Sequence, residues 1–239
     1  MSTLNILSGG AAQGLVGSLA SAFKAQTGFE IAGEFGAVGV MADKLRNGTP
    51  ADIVILTAAL VAKLAEEKLV IAATISDVGL VETAVAVRTG DPQAAVRDAA
   101  DLREALLASD AIYVPDTKTS TAGIHVANVL QQIGIADEVA ARLRIFPNGA
   151  TAMRELAASE ARRPIGCTQS TEIISTKGVT LSGSLPPGCE LATMYTAGIT
   201  TAAAHPQQAQ DLIDLLTGAA QHEQRKRAGF ISGRSQAPT

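Results

Sequence analysis

Leu4-Asn5-Ile6-Leu7-Ser8-Gly9-Gly10-Ala11-Ala12 (residues 4–12) sets a short apolar run against a glycine pair, and Leu15, Leu19 and Phe23 then recur at every fourth position. The run reads as a buried strand, and the four-residue recurrence as one face of a helix. Gly28 falls where a helix end wants a left-handed residue. Strand, small-residue loop and helix make one βα unit.

Working outward, the unit repeats. A strand around Glu30–Glu34 meets the loop Phe35-Gly36-Ala37-Val38-Gly39, then a helix with Met41 and Leu45 on one side, closed by Gly48. Ala51–Leu56 reads as a buried strand, with Leu60, Val61 and Leu64 on the helix after it. Strands are expected at Gly79–Arg88, Ala111–Val114, Leu143–Phe146 and Pro164–Thr168, and extended chain at Val179–Leu185 and Glu190–Ile199. Helices are expected after Thr119–Gly123, around Thr151–Ala158, and from Pro206 to Gly218. Asp101 and Glu104 suggest a capping box for a short helix. The alternation predicts an α/β protein with mixed, mostly parallel sheet flanked by helices. Two βα blocks and a returning strand and helix predict two lobes, 1–83 plus 195–239 and 84–194. Two crossing strands, near Thr83–Arg88 and Leu191–Thr196, would join them.

Composition narrows the function classes. The 239 residues are 47% hydrophobic but only 3% aromatic, without Trp, so the core is built from Ala, Val, Ile and Leu. The net charge of −4 and the lack of a basic stripe argue against a nucleic-acid partner; Arg225-Lys226-Arg227 reads as a solvated helix end. No run approaches the roughly 18 apolar residues of a membrane span. Met-Ser-Thr leads straight into residues 4–12 with no signal sequence, so the expected location is cytoplasmic as written, or periplasmic if the chain is a processed form. Cys167 and Cys189 are not at metal-ligand spacing; two unpaired buried thiols are expected, with one disulfide as the alternative.

Three loops share one design, strand then small or hydroxylated residues then helix: Ser8–Ala12, Ala37–Val40 and Thr119–Ala122. In open α/β sheets ligands sit beyond the carboxyl ends of the strands. Helix starts there offer free N–H groups and partial positive charge. Each loop taken singly is equally a turn or a cap; their repetition in both blocks points to a cradle for a small oxyanion or carboxylate. Gly9-Gly10 lacks the third glycine and distal acid of a dinucleotide site, and no P-loop is present. No cofactor and no metal are expected.

The segments FGAVGVMADKLRNGTPADIVIL (35–56), VPDTKTSTAGIHVANVLQQIGI (114–135), PIGCTQSTEI (164–173) and YTAGI (195–199), with the first βα unit, resemble the type II periplasmic solute-binding proteins, in particular the molybdate-binding family and its relatives. The most specific piece is Gly48-Thr49-Pro50-Ala51-Asp52-Ile53. The resemblance implies a two-lobed fold that closes on an anion and serves an ABC-type transporter, as a monomer. It also implies ligand positions. The family's first-loop serine falls near Gly10, its second-loop serine near Val38, its backbone donors near Thr121 or Ala122 and near Ala150 or Thr151, and its tyrosine near Gln169. Both serines and the tyrosine are replaced here, so an organic acid is expected in place of molybdate.

The expected binding residues are therefore Ser8, Gly9, Gly10, Ala11, Ala37, Val38, Thr119, Ser120, Thr121, Thr151, Gln169 and Ser170, with Arg88 as a charge-assisted fork or else a surface arginine. Some proteins of the same resemblance isomerise small unsaturated polycarboxylates such as aconitate. That reading needs a base. Glu82, Glu172, Tyr195 and Cys167 lie in segments able to reach the cleft. His125, His205 and His222 read as packed or surface histidines.

Overall fold

The computed structural model describes residues 2–231; residues 232–239, which the sequence groups with the first block, lie outside the described residues. Nine strands form one mixed sheet in the order β2-β1-β3-β9-β4-β7-β5-β6, with β8 also paired to β4. Strand β1 (Thr3–Gly9) runs parallel to β2 (Glu30–Gly36) and β3 (Ile53–Thr57). At the far end β5 (Ala111–Pro115) runs parallel to β6 (Leu143–Phe146) and β7 (Pro164–Gln169). Between these parallel groups lie β4 (Ser76–Arg88) and β9 (Ala192–Ile199), whose contacts are all antiparallel.

The strand β4 holds the two ends together. Its first part pairs with β9 and its second part, from Thr83, with β7 and with β8 (Val179–Ser184). The alternation of a strand then sorts its side chains between faces. Val85 enters a core with Leu102, Ile112, Val126 and Leu130, while Ala84 and Ala86 enter another with Met153, Leu156 and Ile173. A third core, built on Leu4, Leu7, Leu15, Phe23, Ile53, Ile55 and Leu212, fills the β1–β3 end.

Helices follow the strands as the sequence pattern predicts. They are α1 (Gln13–Thr27), α2 (Val38–Arg46), α3 (Ala58–Glu66), α4 (Ala99–Ala108), α5 (Thr121–Gln132), α6 (Ala136–Val139), α7 (Gly149–Ala157), α8 (Ser170–Ser175), α9 (Pro206–Thr217) and α10 (His222–Arg227). Leu15, Leu19 and Phe23 are buried on one face of α1, and Gly28 ends it with φ 75°. The returning β9 and α9 pack back on the first block, β9 against β3 and α9 against α1. The capping expectation at α4 needs correction. The helix starts earlier, with Asp98 as its cap accepting the Asp101 N–H at 2.8 Å. The Asp101 carboxylate is taken by Arg97. The cysteines are both free and buried, and no helix of the described residues is long and apolar enough to cross a membrane.

Candidate functional site

The loops at the carboxyl ends of the parallel strands meet over the middle of the sheet. Gly10, Gly36, Ala37, Val38, Ser120, Thr121, Asn148, Gly149, Gln169, Glu172 and Tyr195 line a narrow cavity there. Five helices begin at it. A 3₁₀ turn over Gly10–Ala12 leads into α1; α2, α5, α7 and α8 start from Ala37, Ser120, Asn148 and Gln169, each with extended backbone. Only Asn148 caps its own helix with its side chain, accepting the Thr151 N–H at 2.8 Å. The other helix starts present N–H groups that no cap side chain takes, and their dipoles add at the cavity. The two sides come close. A side chain at Gly39 in the first turn of α2 would touch the Thr119 carbonyl oxygen at 3.3 Å.

Among the described residues no Lys, Arg or His lines the cavity. Its titratable groups are Glu172 and Tyr195. Glu172 is buried, with its Oε2 accepting the Thr168 hydroxyl at 2.6 Å. The backbone N–H groups of Gln169 and Ala150 point at the same carboxyl, yet burial outweighs these donors and pushes its pKa up. Burial and the nearby Glu172 charge raise the Tyr195 phenol further above its usual range, so it remains a neutral donor. Gln169 is buried with neither amide atom hydrogen-bonded; Tyr195 lies near it, but no atom pair between them reaches hydrogen-bond geometry. Thr83, opposite Gln169 in the β4–β7 ladder, also has a buried hydroxyl without a partner. Buried polar groups are rarely left so. Here the orphaned Gln169 amide lines the cavity that five helix starts face, with Thr83 beside it in the ladder, which is the arrangement of a polar ligand site.

A larger cavity of about 440 Å³ lies on the outer surface, between residues 91–97, α4 and residues 162–165. Arg97 there is paired with Asp101, and no set of helix starts converges on the cavity. Size is the lesser criterion, so the narrow central cavity carries the site.

The structure brings together Gly10, Ala37, Val38, Ser120, Thr121 and Gln169 of the residues expected from sequence. The others stand apart. Ser8 turns its hydroxyl to the Gly9 carbonyl, and Gly9 packs under Val38 and Tyr195. Ala11 is core. Thr119 is exposed and donates to Asp116; Thr151 accepts from Arg154; Ser170 faces the Gly229 carbonyl. Arg88 is corrected outright. Its guanidinium binds the carbonyls of Ser159 and Ala161 and the Asp91 carboxylate, at the far end of β4 from the cavity. Of the candidate bases, Glu82 accepts from Ser184 away from the cavity. Cys167 is buried in the core with its thiol pushed up to about 12. His125 bonds the Cys189 carbonyl at 2.8 Å and His205 packs edge-on to Phe29. Gly36, Asn148 and Gly149 are not among the residues expected from sequence. Residues 146–149, Phe-Pro-Asn-Gly, carry the same strand, small loop and helix signal as the three loops that were read.

Comparison with known proteins agrees with this geometry. An aconitate isomerase from Pseudomonas sp is 24% identical over 227 residues, 90% of this chain and 82% of that one. The Azotobacter vinelandii periplasmic molybdate-binding protein superposes with a TM-score of 0.80 at 19% identity, over 97% of this chain and 100% of that one. A sulfate-binding protein of Mycobacterium tuberculosis H37Rv does so with 0.76 at 18% identity, over 98% and 88%. These likenesses give the fold, that of the type II solute-binding proteins. The family model for bacterial extracellular solute-binding proteins matches residues 4–231, and with five helix starts facing one cavity across the sheet the chain belongs to that family.

Proposed function

We propose that the chain binds a small organic acid, a di- or tricarboxylate, between the two sides of the central cavity, whose free volume of about 10 Å³ admits such a ligand only when the sides part. The observation that carries the proposal is the convergence of five helix starts on a buried, unpartnered amide, with no cationic side chain in the lining. Helix ends and neutral donors hold a carboxylate without a fixed cation. A tetrahedral oxyanion wants donors all round it. Gly10 and Val38 supply no hydroxyl, and Glu172 puts a carboxyl where a further donor would stand. The two ends of the sheet would act as lobes, 1–83 with 195–231 and 84–194, closing about β4 and β9 because the ligand touches both only when they are together. A solute receptor of this kind would work outside the cytoplasmic membrane, as a monomer delivering to an ABC-type transporter.

A thermal-shift series tests the proposal, with trans-aconitate, citrate and succinate against molybdate, sulfate and phosphate. At one hundred times its dissociation constant a ligand stabilises the fold by about 2.7 kcal/mol. Stabilisation by tri- or dicarboxylates and not by the oxyanions is expected; the reverse order would overturn the assignment.

A second reading has its own observation. Glu172, a carboxyl with raised pKa, shares the cavity with Tyr195, a neutral phenol. A carboxyl with a raised pKa is a stronger base, able to take a proton and give it back, and a neutral phenol can hydrogen-bond the charge that develops on the substrate. Such a pair fits removal of an allylic proton from an unsaturated polycarboxylate and its return at the other end of the three-carbon system. The aconitate isomerase relative is in keeping with this. Proton NMR of trans-aconitate with the protein in deuterated water decides it: exchange at the allylic position, lost in Glu172→Gln, is the expected result for an enzyme. No exchange at any pH from 5 to 9 would leave binding alone.

A further inference from the structure

The carboxyl of Glu172 rests on the helix starts that a bound anion would need. It accepts the Thr168 hydroxyl, faces the Ala150 N–H in the first turn of α7, and faces the Gln169 N–H where α8 begins. Glycines make its seat. A side chain at Gly149 would overlap Oε2, and one at Gly10 would overlap Oε1, so both loops close directly onto this one carboxyl. Gly10 belongs to the β1 side of the cavity and Gly149 to the β6 side. Glu172 is therefore the group on which the two sides meet.

We propose that Glu172 couples ligand entry to protonation: the cavity takes a carboxylate only together with one proton on Glu172, which then donates its O–H toward the ligand. This rests on the reading of the cavity as an organic-acid site. An ionised Glu172 would face the incoming carboxylate across a few ångströms of desolvated space, where like charges repel strongly. Protonated, the same group turns from a repelling acceptor into a donor. The proton comes from water, and no bond other than the O–H is made or broken.

The surroundings leave this role to Glu172: where the end of α10 packs on α8 through Gly229, Arg225 is held by the Leu216 and Gly218 carbonyls and Lys226 and Arg227 are exposed. Of the elements packed on α8, the 3₁₀ turn at Gly10–Ala12 and β8 carry no titratable side chain. On β4, Asp77 accepts from Thr196, Glu82 accepts from Ser184, and Arg88 is held by Asp91. On α1, Lys24 is paired with Glu30 at the surface. On α7, Arg154 bonds Thr151 and Glu155 is exposed; on β7, Cys167 lies in the core on the side of Val85. Tyr195 on β9 is the titratable group that shares the cavity with Glu172, and it holds its proton throughout.

Calorimetric titration of the full chain with trans-aconitate, fully ionised at pH 8, in two buffers of different protonation enthalpy tests the coupling. With the titrations extended from pH 6 to 10, wild type is expected to take up close to one proton per trans-aconitate bound wherever free Glu172 is ionised, and its Kd to rise about tenfold per pH unit above the pKa of Glu172. Glu172→Gln, always a donor, is expected to take up none and to bind with a Kd that does not change with pH. Wild-type binding with no proton uptake and a flat Kd would overturn the coupling and leave the organic-acid site standing. No binding of trans-aconitate to either protein would overturn the site and the coupling with it. Should Glu172→Gln fail to fold, the wild-type proton count decides alone.

Discussion

Asp52→Ala is expected to cost about 3 kcal/mol of stability and to leave the central cavity intact. Asp52 is buried in the segment Gly48-Thr49-Pro50-Ala51-Asp52. Its Oδ2 accepts the Asn5 N–H at 2.8 Å and its Oδ1 accepts the His205 N–H at 2.8 Å. The backbone does the rest: the Asp52 N–H reaches the Asn5 carbonyl, and the Asp52 carbonyl takes the Thr200 N–H. One residue thus ties β1 to the turn that starts α9, across nearly the whole length of the chain. It makes no salt bridge among the described residues. Alanine strands two N–H donors out of water, each costing about 1–3 kcal/mol. Asparagine keeps one good acceptor and is expected to cost roughly half as much. Urea unfolding measures both, with an unchanged m-value marking a change in stability alone. A loss under about 0.5 kcal/mol for Asp52→Ala would show that water or a shifted turn satisfies the donors.

That role explains why the Gly-x-Pro-Ala-Asp segment is so readable in sequence. Gly48, at φ 83°, ends α2; Ala51 and Asp52 then set the register of β3 between β1 and β9. Local rules of this kind made the order of elements legible throughout: apolar runs of strand length, fourfold recurrence, glycine stops. They also gave the three loops at Gly10, Ala37 and Ser120, because a helix start is a local feature. What they could not give is what a side chain meets far along the chain. Arg88 reads as a ligand fork or a surface arginine until residues 159–161 place two carbonyls against it. Glu172 looks like one acid among several until Gly10 and Gly149 arrive on either side of it. The sequence pattern predicts the mixed sheet that is found and leaves open only which strands run antiparallel; β4 and β9 do so, through the middle.

The arrival of Gly149 on Glu172 gives the most discriminating substitution. Gly149→Ala should stabilise the protein if the position were an ordinary helix start, by about 0.5–1 kcal/mol, because alanine loses less entropy on becoming helical. The opposite is expected. The added Cβ would overlap Glu172 Oε2 and the Thr168 hydroxyl, so the hydrogen bond between them must break or α7 must move off the cavity. Overpacking of this size costs about 1–3 kcal/mol, and the displaced carboxyl loses its donors as well. Binding of trans-aconitate should weaken at least tenfold, since the Ala150 N–H leaves the cavity with the helix start. The control is to remove the partner. In a Glu172→Ala background the overlap with the carboxyl is gone and only the Thr168 hydroxyl remains for the new Cβ to displace, so Gly149→Ala should cost markedly less there. The coupling between the two positions, read from the four unfolding free energies, is expected to be about 2 kcal/mol, within the range of residues in direct contact. Additive effects would place Gly149 and Glu172 apart, and with them the idea that both sides of the cavity close on one carboxyl. A large coupling would instead make Gly149 a residue kept for what stands opposite it, because the bare backbone there leaves room for an acid that an incoming acid must first neutralise.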